Sequence, residues 1–324
     1  MKAHHAVLVG AGRIGAGFDG PQTKEILTHA HALSSNRSTK LTGLFDTDAI
    51  VAHREATKWK IPGWNDFEAM MSATRPEVVS LCVPDRFHSE YLRACLKWKP
   101  KLVLAEKPLT TSIEESERLV EEYERNGILC SVNYSRRFAP GWLDIRERFL
   151  AGEWGNALLV HAIYGKGTLH NGSHVVDTLR WFFGEPTKSE VTESLDSSES
   201  DDPTLGFHLE CPRCQRIVVS PFDEKQYTVF EIHMYFERAK FSFVRGGISV
   251  QQTLVESDPL FEGYRDLIRP TSKSTALDRS MQFYLQNSLA ALHGGGNLRS
   301  SMKSALETQR VCTDLVHQWR NQNG

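Results

Sequence analysis

A chain of 324 residues, 40% of them hydrophobic and 24% charged, can bury more than one core and predicts two domains. With 38 basic against 40 acidic residues, the formal charge of −2 leaves no surplus to neutralise phosphates, so nucleic acid is excluded as an expected partner. The opening MKAHHAVLVGAG holds only a short apolar run that breaks at glycine, so neither a secretory leader nor a membrane span is expected, and the expected location is the cytoplasm.

From residue 6 to about 133, short apolar runs (AVLVGA, LTGLFD, VVSLCVP, LVLAEKP, ILCSVNY) alternate with helix-like stretches such as HSEYLRACLKW and SIEESERLVEEYERNG. Strands alternating with helices predict a doubly wound parallel sheet. The first run passes directly into Gly10-Ala11-Gly12-Arg13-Ile14-Gly15, a G-x-G-x-x-G turn. Its glycines permit a tight turn and let backbone amides at a helix N-terminus approach a pyrophosphate. In this strand-to-helix context the motif predicts dinucleotide binding by Gly10, Gly12, Arg13, Ile14 and Gly15, against the plainer reading of a glycine turn. The second run ends at Asp46, whose carboxylate can accept from the adenosine ribose and repel a 2′-phosphate, which favours NAD over NADP. Its distance from the glycines exceeds the usual roughly 20 residues, because GFDGPQTKEILTHAHALSSNRS contains an insertion, and Asp48 remains a rival.

The run LVLA ends at Glu106 and Lys107, and Pro108 restricts the lysine to extended conformations. A lone Lys-Pro pair is ordinary turn punctuation. Thr111 or Ser112, followed by Glu114 and Glu115, predicts the start of the next helix, and Asn126-Gly127 its end. Past residue 134 the rhythm changes to one amphipathic helix near 168–183 and then to β-rich runs, including RIVVSPF, YTVFEIHMYF, KFSFVR and GISVQQTLV, which predict a largely antiparallel sheet. The acidic, serine-rich SEVTESLDSSESDDP reads as a solvated loop or edge, and residues 278–319 return to helical spacing. Cys211-Pro-Arg-Cys214 lacks the second ligand pair of a structural zinc site, so no metal is assigned to it.

In HNGSHVVDTLRWFFG, a step of about 100° per residue places His170, His174, Asp177 and Trp181 in one arc, opposite Val175, Val176, Leu179, Phe182 and Phe183. The polar arc is open to three readings: a set of ionisable groups facing a substrate, a solvated face, or a His-x-x-x-His metal site, the last ranked third because no activating glutamate lies between the histidines.

Four stretches in this order, GAGRIG, VPDRFHSEYLRACL, AEKPLTTS and GSHVVDTLRWFFG, resemble the glucose-fructose oxidoreductase, inositol dehydrogenase and rhizopine-catabolism family over the first 184 residues. The resemblance implies an NAD-binding Rossmann domain (1–133) and a C-terminal α/β domain (134–324) with a largely antiparallel open sheet for substrate binding and dimer contacts. It implies hydride transfer between nicotinamide and a secondary hydroxyl of a sugar, sugar derivative or cyclitol, with a link to surface-polysaccharide sugars, and a homodimer or homotetramer. Lys107 matches the lysine beside the nicotinamide and the substrate hydroxyl, with a cis bond expected at Lys107-Pro108. Glu106, Pro84 and His88 fall to the cofactor side, His88 being equally readable as a helix-start contact. Asn133, Tyr134 and Arg137 fall near the nicotinamide as substrate contacts, with a structural salt bridge the alternative for Arg137. His174 matches the family's histidine, while His170 stands where the family carries an aspartate, so two candidate bases remain, with Asp177 beside them. A non-catalytic NAD-binding regulator and an NAD-using glycosidase are the alternatives on the same fold.

Overall fold

The computed structural model describes residues 3–196 and 200–323. The chain divides into two compact units. One holds the residues up to Phe138 together with Asp278–Glu307, and the other holds Ala139–Leu277 together with the residues from Thr308 onward.

In the first unit, β1 (His4–Val9) leads through a wide helical turn (Arg13–Gly17) to α1 (His29–Ser35), β2 (Thr39–Phe45) and α2 (Ala49–Trp59). Then come the two-residue β3 (Gly63–Trp64), α3 (Phe67–Thr74), β4 (Val78–Leu81), α4 (His88–Trp98), β5 (Leu102–Ala105), α5 (Ile113–Asn126) and β6 (Leu129–Val132). All neighbours are parallel, in the order β3-β2-β1-β4-β5-β6. The order reverses between β1 and β4, and ligands of such sheets bind outside the carboxyl ends of the strands at that reversal. Every residue of β4 and β5 is buried, as expected of strands covered on both faces. Ser112 caps α5 by accepting from Glu115 N, and Gly127, at φ 67°, ends it.

The second unit contains α6 (Pro140–Leu150), β7 (Ala157–Tyr164), a wide turn (Gly167–Gly172), α7 (Ser173–Phe183), β8 (Lys188–Ser194), β9 (Leu205–Cys211), β10 (Cys214–Pro221), β11 (Phe230–Phe236), β12 (Ala239–Val244), β13 (Ser249–Ser257) and β14 (Arg265–Ser274). Its sheet runs β14-β13-β12-β11-β7-β10-β9-β8, antiparallel except where β7 meets β10. Strand β11 shows why one face is core: Phe230, Ile232, Met234 and Phe236 are buried, while Glu231, His233 and Tyr235 alternate outward. Trp142 of α6 stacks on Phe243 at 3.5 Å between ring centroids, anchoring helix to sheet. Two last helices follow, α8 (Ser280–Leu292) in the first unit and α9 (Met302–Asn323), whose residues from Thr308 on belong to the second.

The α/β architecture is the expected one, with differences in detail. Residues 278–307 fall in the first unit, not the second, because Met281, Tyr284, Leu285 and Leu289 of α8 pack on the Rossmann face built around Ala6, Leu8 and Leu102. The segment SEVTES forms the edge strand β8, as an edge rather than a loop, while residues 197–199 of the same acidic stretch lie outside the described residues. The helix expected over 168–183 begins at Ser173, and His170 lies in the turn before it. Cys211 and Cys214 face each other across the β9–β10 hairpin. Among the described residues, no helix is long and apolar enough to cross a membrane.

Candidate active site

The glycine turn is built by exclusion. A Cβ on Gly10, whose φ is +91°, would stand 2.6 Å from the Cys82 carbonyl oxygen, and one on Gly15 would stand 2.2 Å from the Gly10 carbonyl oxygen. Gly12 differs, since a Cβ there would meet nothing within 4 Å. It therefore leaves the turn open to a ligand's close approach. Gly12, Arg13, Ile14, Asp46 and Pro84 line one cleft of about 560 Å³. The Asp46 carboxylate is aimed by backbone amides: Oδ2 accepts from Ala11 N at 2.9 Å and Oδ1 from Asp48 N at 3.0 Å. Asp48 instead caps α2, accepting from Ile50 N at 2.8 Å. An open glycine turn with an oriented carboxylate at the end of β2 fits an adenosine dinucleotide.

Lys107 follows β5, and both of its chain neighbours are held. On one side Glu106 N donates to Leu81 O at 3.1 Å, and the Glu106 carboxylate bonds His29 Nε2 at 2.9 Å and Asn133 Nδ2 at 2.7 Å. His29 in turn contacts Ser80 Oγ through Nδ1 at 2.7 Å. Burial opposes a charge on His29, but the facing Cys82 sulfur and the Glu106 carboxylate outweigh it and raise its pKa to about 10. Burial likewise opposes the Glu106 carboxylate, but the His29 and Asn133 hydrogen bonds and the Lys107 charge hold its pKa below the ordinary range. On the other side, His88 places Nδ1 2.6 Å from the Pro108 carbonyl and Nε2 2.9 Å from that of Val83. The Lys107-Pro108 bond is cis.

Several expected contacts are relocated. His88 is buried between these two carbonyls, which join the loops after β4 and β5. Tyr134 packs in the apolar core around Val132 and Leu109, so its ring is taken by the fold rather than a substrate. Arg137 is buried and donates to Arg299 O at 2.9 Å. Asn133 is turned to Glu106, with its Oδ1 buried and unbonded. No short motif marks His29, although THAHA carries a signal: a histidine directly after Thr28, which caps α1 by accepting from His31 N.

In the second unit the turn carrying His170 is pinned by a residue of the acidic stretch expected to be a solvated loop or edge. Asp202 accepts from Leu169 N at 2.6 Å and His170 N at 2.9 Å, and a Cβ on Gly167 would meet its carboxylate at 2.1 Å. Burial raises the Asp202 pKa against the pull of these amides. His170 is exposed and His174 half-buried. Asp177, expected on the polar arc, is only 1% exposed and accepts from Thr308 Oγ1 of α9 at 3.1 Å. A helical wheel cannot distinguish a polar face from a buried polar bond, and here the bond prevails. Among the described residues, no three His, Cys, Asp or Glu side chains gather as a metal site.

The family model "Oxidoreductase family, NAD-binding Rossmann fold" matches residues 5–134. Inositol 2-dehydrogenase of Gluconacetobacter diazotrophicus is 30% identical over 239 residues, 68% of this chain and 68% of that protein. Inositol 2-dehydrogenase 2 of Saccharopolyspora erythraea is 28% identical over 186 residues, 54% of this chain, and the match spans only about half of that relative, 53%. In fold, the WlbA dehydrogenase of Bordetella pertussis, crystallised with NADH and UDP-GlcNAcA, superposes with a TM-score of 0.79 over 99% of this chain and 96% of that one, at 15% identity. A parallel Rossmann sheet with an open glycine turn thus defines a dinucleotide-binding fold. The chain belongs to the glucose-fructose oxidoreductase, inositol dehydrogenase and rhizopine-catabolism family.

Proposed function

We propose that this chain is an NAD-dependent dehydrogenase acting on a secondary hydroxyl of a sugar, sugar derivative or cyclitol. The observation that carries the reading is Lys107, held on both sides at the carboxyl end of a parallel strand in the unit that contains the open glycine turn. Gly12, Arg13, Ile14 and Asp46 would hold the dinucleotide, with Asp46 taking the adenosine ribose. Bound there, the nicotinamide supplies the hydride acceptor. Lys107 stabilises the negative charge that develops on the substrate oxygen, and His174 takes the hydroxyl proton, with His170 as the second candidate. Asn133 keeps Glu106 in place beside Lys107. The relatives' names point to cyclitols, and the nucleotide-sugar complex of the WlbA dehydrogenase keeps a surface-polysaccharide sugar within the substrate class. The same reading carries a homodimer or homotetramer, which light scattering at low micromolar concentration measures.

Titration of NADH and NADPH, followed by a screen of inositols, free sugars and sugar nucleotides at 340 nm, tests the proposal. NADH should bind more tightly, and Asp46→Ser should shrink that preference by about tenfold or more, since the carboxylate no longer faces the 2′-phosphate. Equal affinities in the unaltered protein would remove Asp46 from this role, and no turnover across the screen with intact NADH binding would favour a regulator.

A further inference from the structure

The insertion between the glycine turn and α1 ends in a firmly built knot. Asp19 is buried, and its carboxylate accepts from Leu27 N at 2.6 Å, Thr28 N at 3.1 Å and Thr28 Oγ1 at 2.5 Å, while lying 2.9 Å from His31 Nδ1. Lys58 of α2 donates to the carbonyls of Ala16 and Asp19 at 2.5 and 3.1 Å, and Phe18 N donates to Arg13 O at 2.9 Å. The backbone of Phe18 is therefore fixed on both sides. The residue is nevertheless 57% exposed and lines the same cleft as Gly12, Arg13, Ile14 and Asp46. A single exposed aromatic is ordinary on a protein surface, but this one lines the cleft, so a ligand that fills the cleft gains apolar burial against it without the cost of ordering the loop.

We propose that Phe18 is a cofactor-binding residue that covers the adenosine diphosphate half of the dinucleotide, held there by the base of the insertion. This rests on the dinucleotide reading above. The adenosine half is indicated because Phe18 shares its cleft with Asp46, Thr47 and Phe87, and Lys107 is not among the residues lining it. The insertion also accounts for the long interval between the glycines and Asp46: the extra residues build the bonds that fix the backbone of Phe18 without disturbing either motif.

The test compares Phe18→Ala and Phe18→Leu with the unaltered protein by calorimetric titration of NADH and of ADP-ribose, with the melting temperature of each ligand-free protein as control. Phe18→Ala should weaken NADH and ADP-ribose alike by about tenfold. Phe18→Leu should fall between, and the ligand-free melting temperature should not move. Unchanged affinities, a loss confined to NADH, or a lowered ligand-free melting temperature would each overturn the assignment, the last because the ring would then be holding the loop. If the unaltered protein bound neither NADH nor ADP-ribose, the dinucleotide reading itself would fall, an outcome distinct from equal binding by protein and variant.

Discussion

At the end of β5 the buried polar groups serve the chain on either side of one residue: His29 and Asn133 hold Glu106, His88 holds Pro108, and Lys107 lies between. On α7 the buried polar groups serve the helix instead. Arg180 donates to Thr308 Oγ1, Thr308 donates to Asp177, and the chain of bonds ties α7 to α9. The contrast shows two uses of costly buried polarity: one fixes the chain on either side of Lys107, and the other secures packing between helices.

The widest separation expected from this contrast is between residues that touch the chemistry and residues that hold it. Lys107→Ala and His174→Ala should each lower kcat by about 10²- to 10⁴-fold on a substrate found in the screen, with NADH binding retained. His170→Asn should cost less, because its imidazole stands in place of a carboxylate and Asn keeps a hydrogen-bonding group. If His170→Asn were the most damaging and His174→Ala nearly as active as the unaltered protein, the roles of the two histidines would be exchanged.

Next in size is the network beneath Lys107. His29 has a folded-state pKa of about 10, above its ordinary 6.5, so its stabilisation is complete below 6.5 and is lost as pH rises through 10. Glu106 lies below its ordinary 4.5, so its contribution is present above that value and is lost as pH falls through the lowered one. Urea unfolding from pH 6 to 10 should show stability falling with pH in the unaltered protein. His29→Asn should cost about 3 kcal/mol near pH 7, since it strips a buried carboxylate of its partner, and should flatten that alkaline limb. Parallel pH curves for the two proteins would mean that His29 is neutral in the fold.

How much of this was legible follows the same division. Strand ends in a parallel sheet are set by local sequence, so the glycine turn, Asp46 and the Glu106-Lys107-Pro108 step could be read from short motifs, as could the Ser112 cap and the Gly127 stop. The partners that complete them come from far along the chain: His29 reaches Glu106 across 77 positions and Arg137 meets Arg299 across 162. No local periodicity encodes such pairings. Nor does periodicity reveal that α8 closes the face of a sheet whose last strand ends at Val132, or that two residues, Gly63 and Trp64, complete the sheet edge.

Asp177 supplies the smallest and sharpest test of the contrast, because sequence placed it with the substrate and the fold places it under α9. A carboxylate with 1% exposure has given up its water, and the Thr308 hydroxyl is one of the groups that replaces it. Asp177→Ala would leave that hydroxyl without its acceptor while Thr308 still accepts from Arg180, at a cost of about 1–3 kcal/mol in stability. Asp177→Asn keeps an acceptor oxygen and should lose less. Both variants should keep kcat and KM when assayed below their melting temperatures, as expected of a carboxylate that serves helix packing. The two quantities separate cleanly: chemical denaturation reads the packing role, and steady-state kinetics on the folded protein reads the substrate role. A raised KM in Asp177→Asn with unchanged stability would return the residue to the substrate site and would show that the polar arc on α7 works as one face.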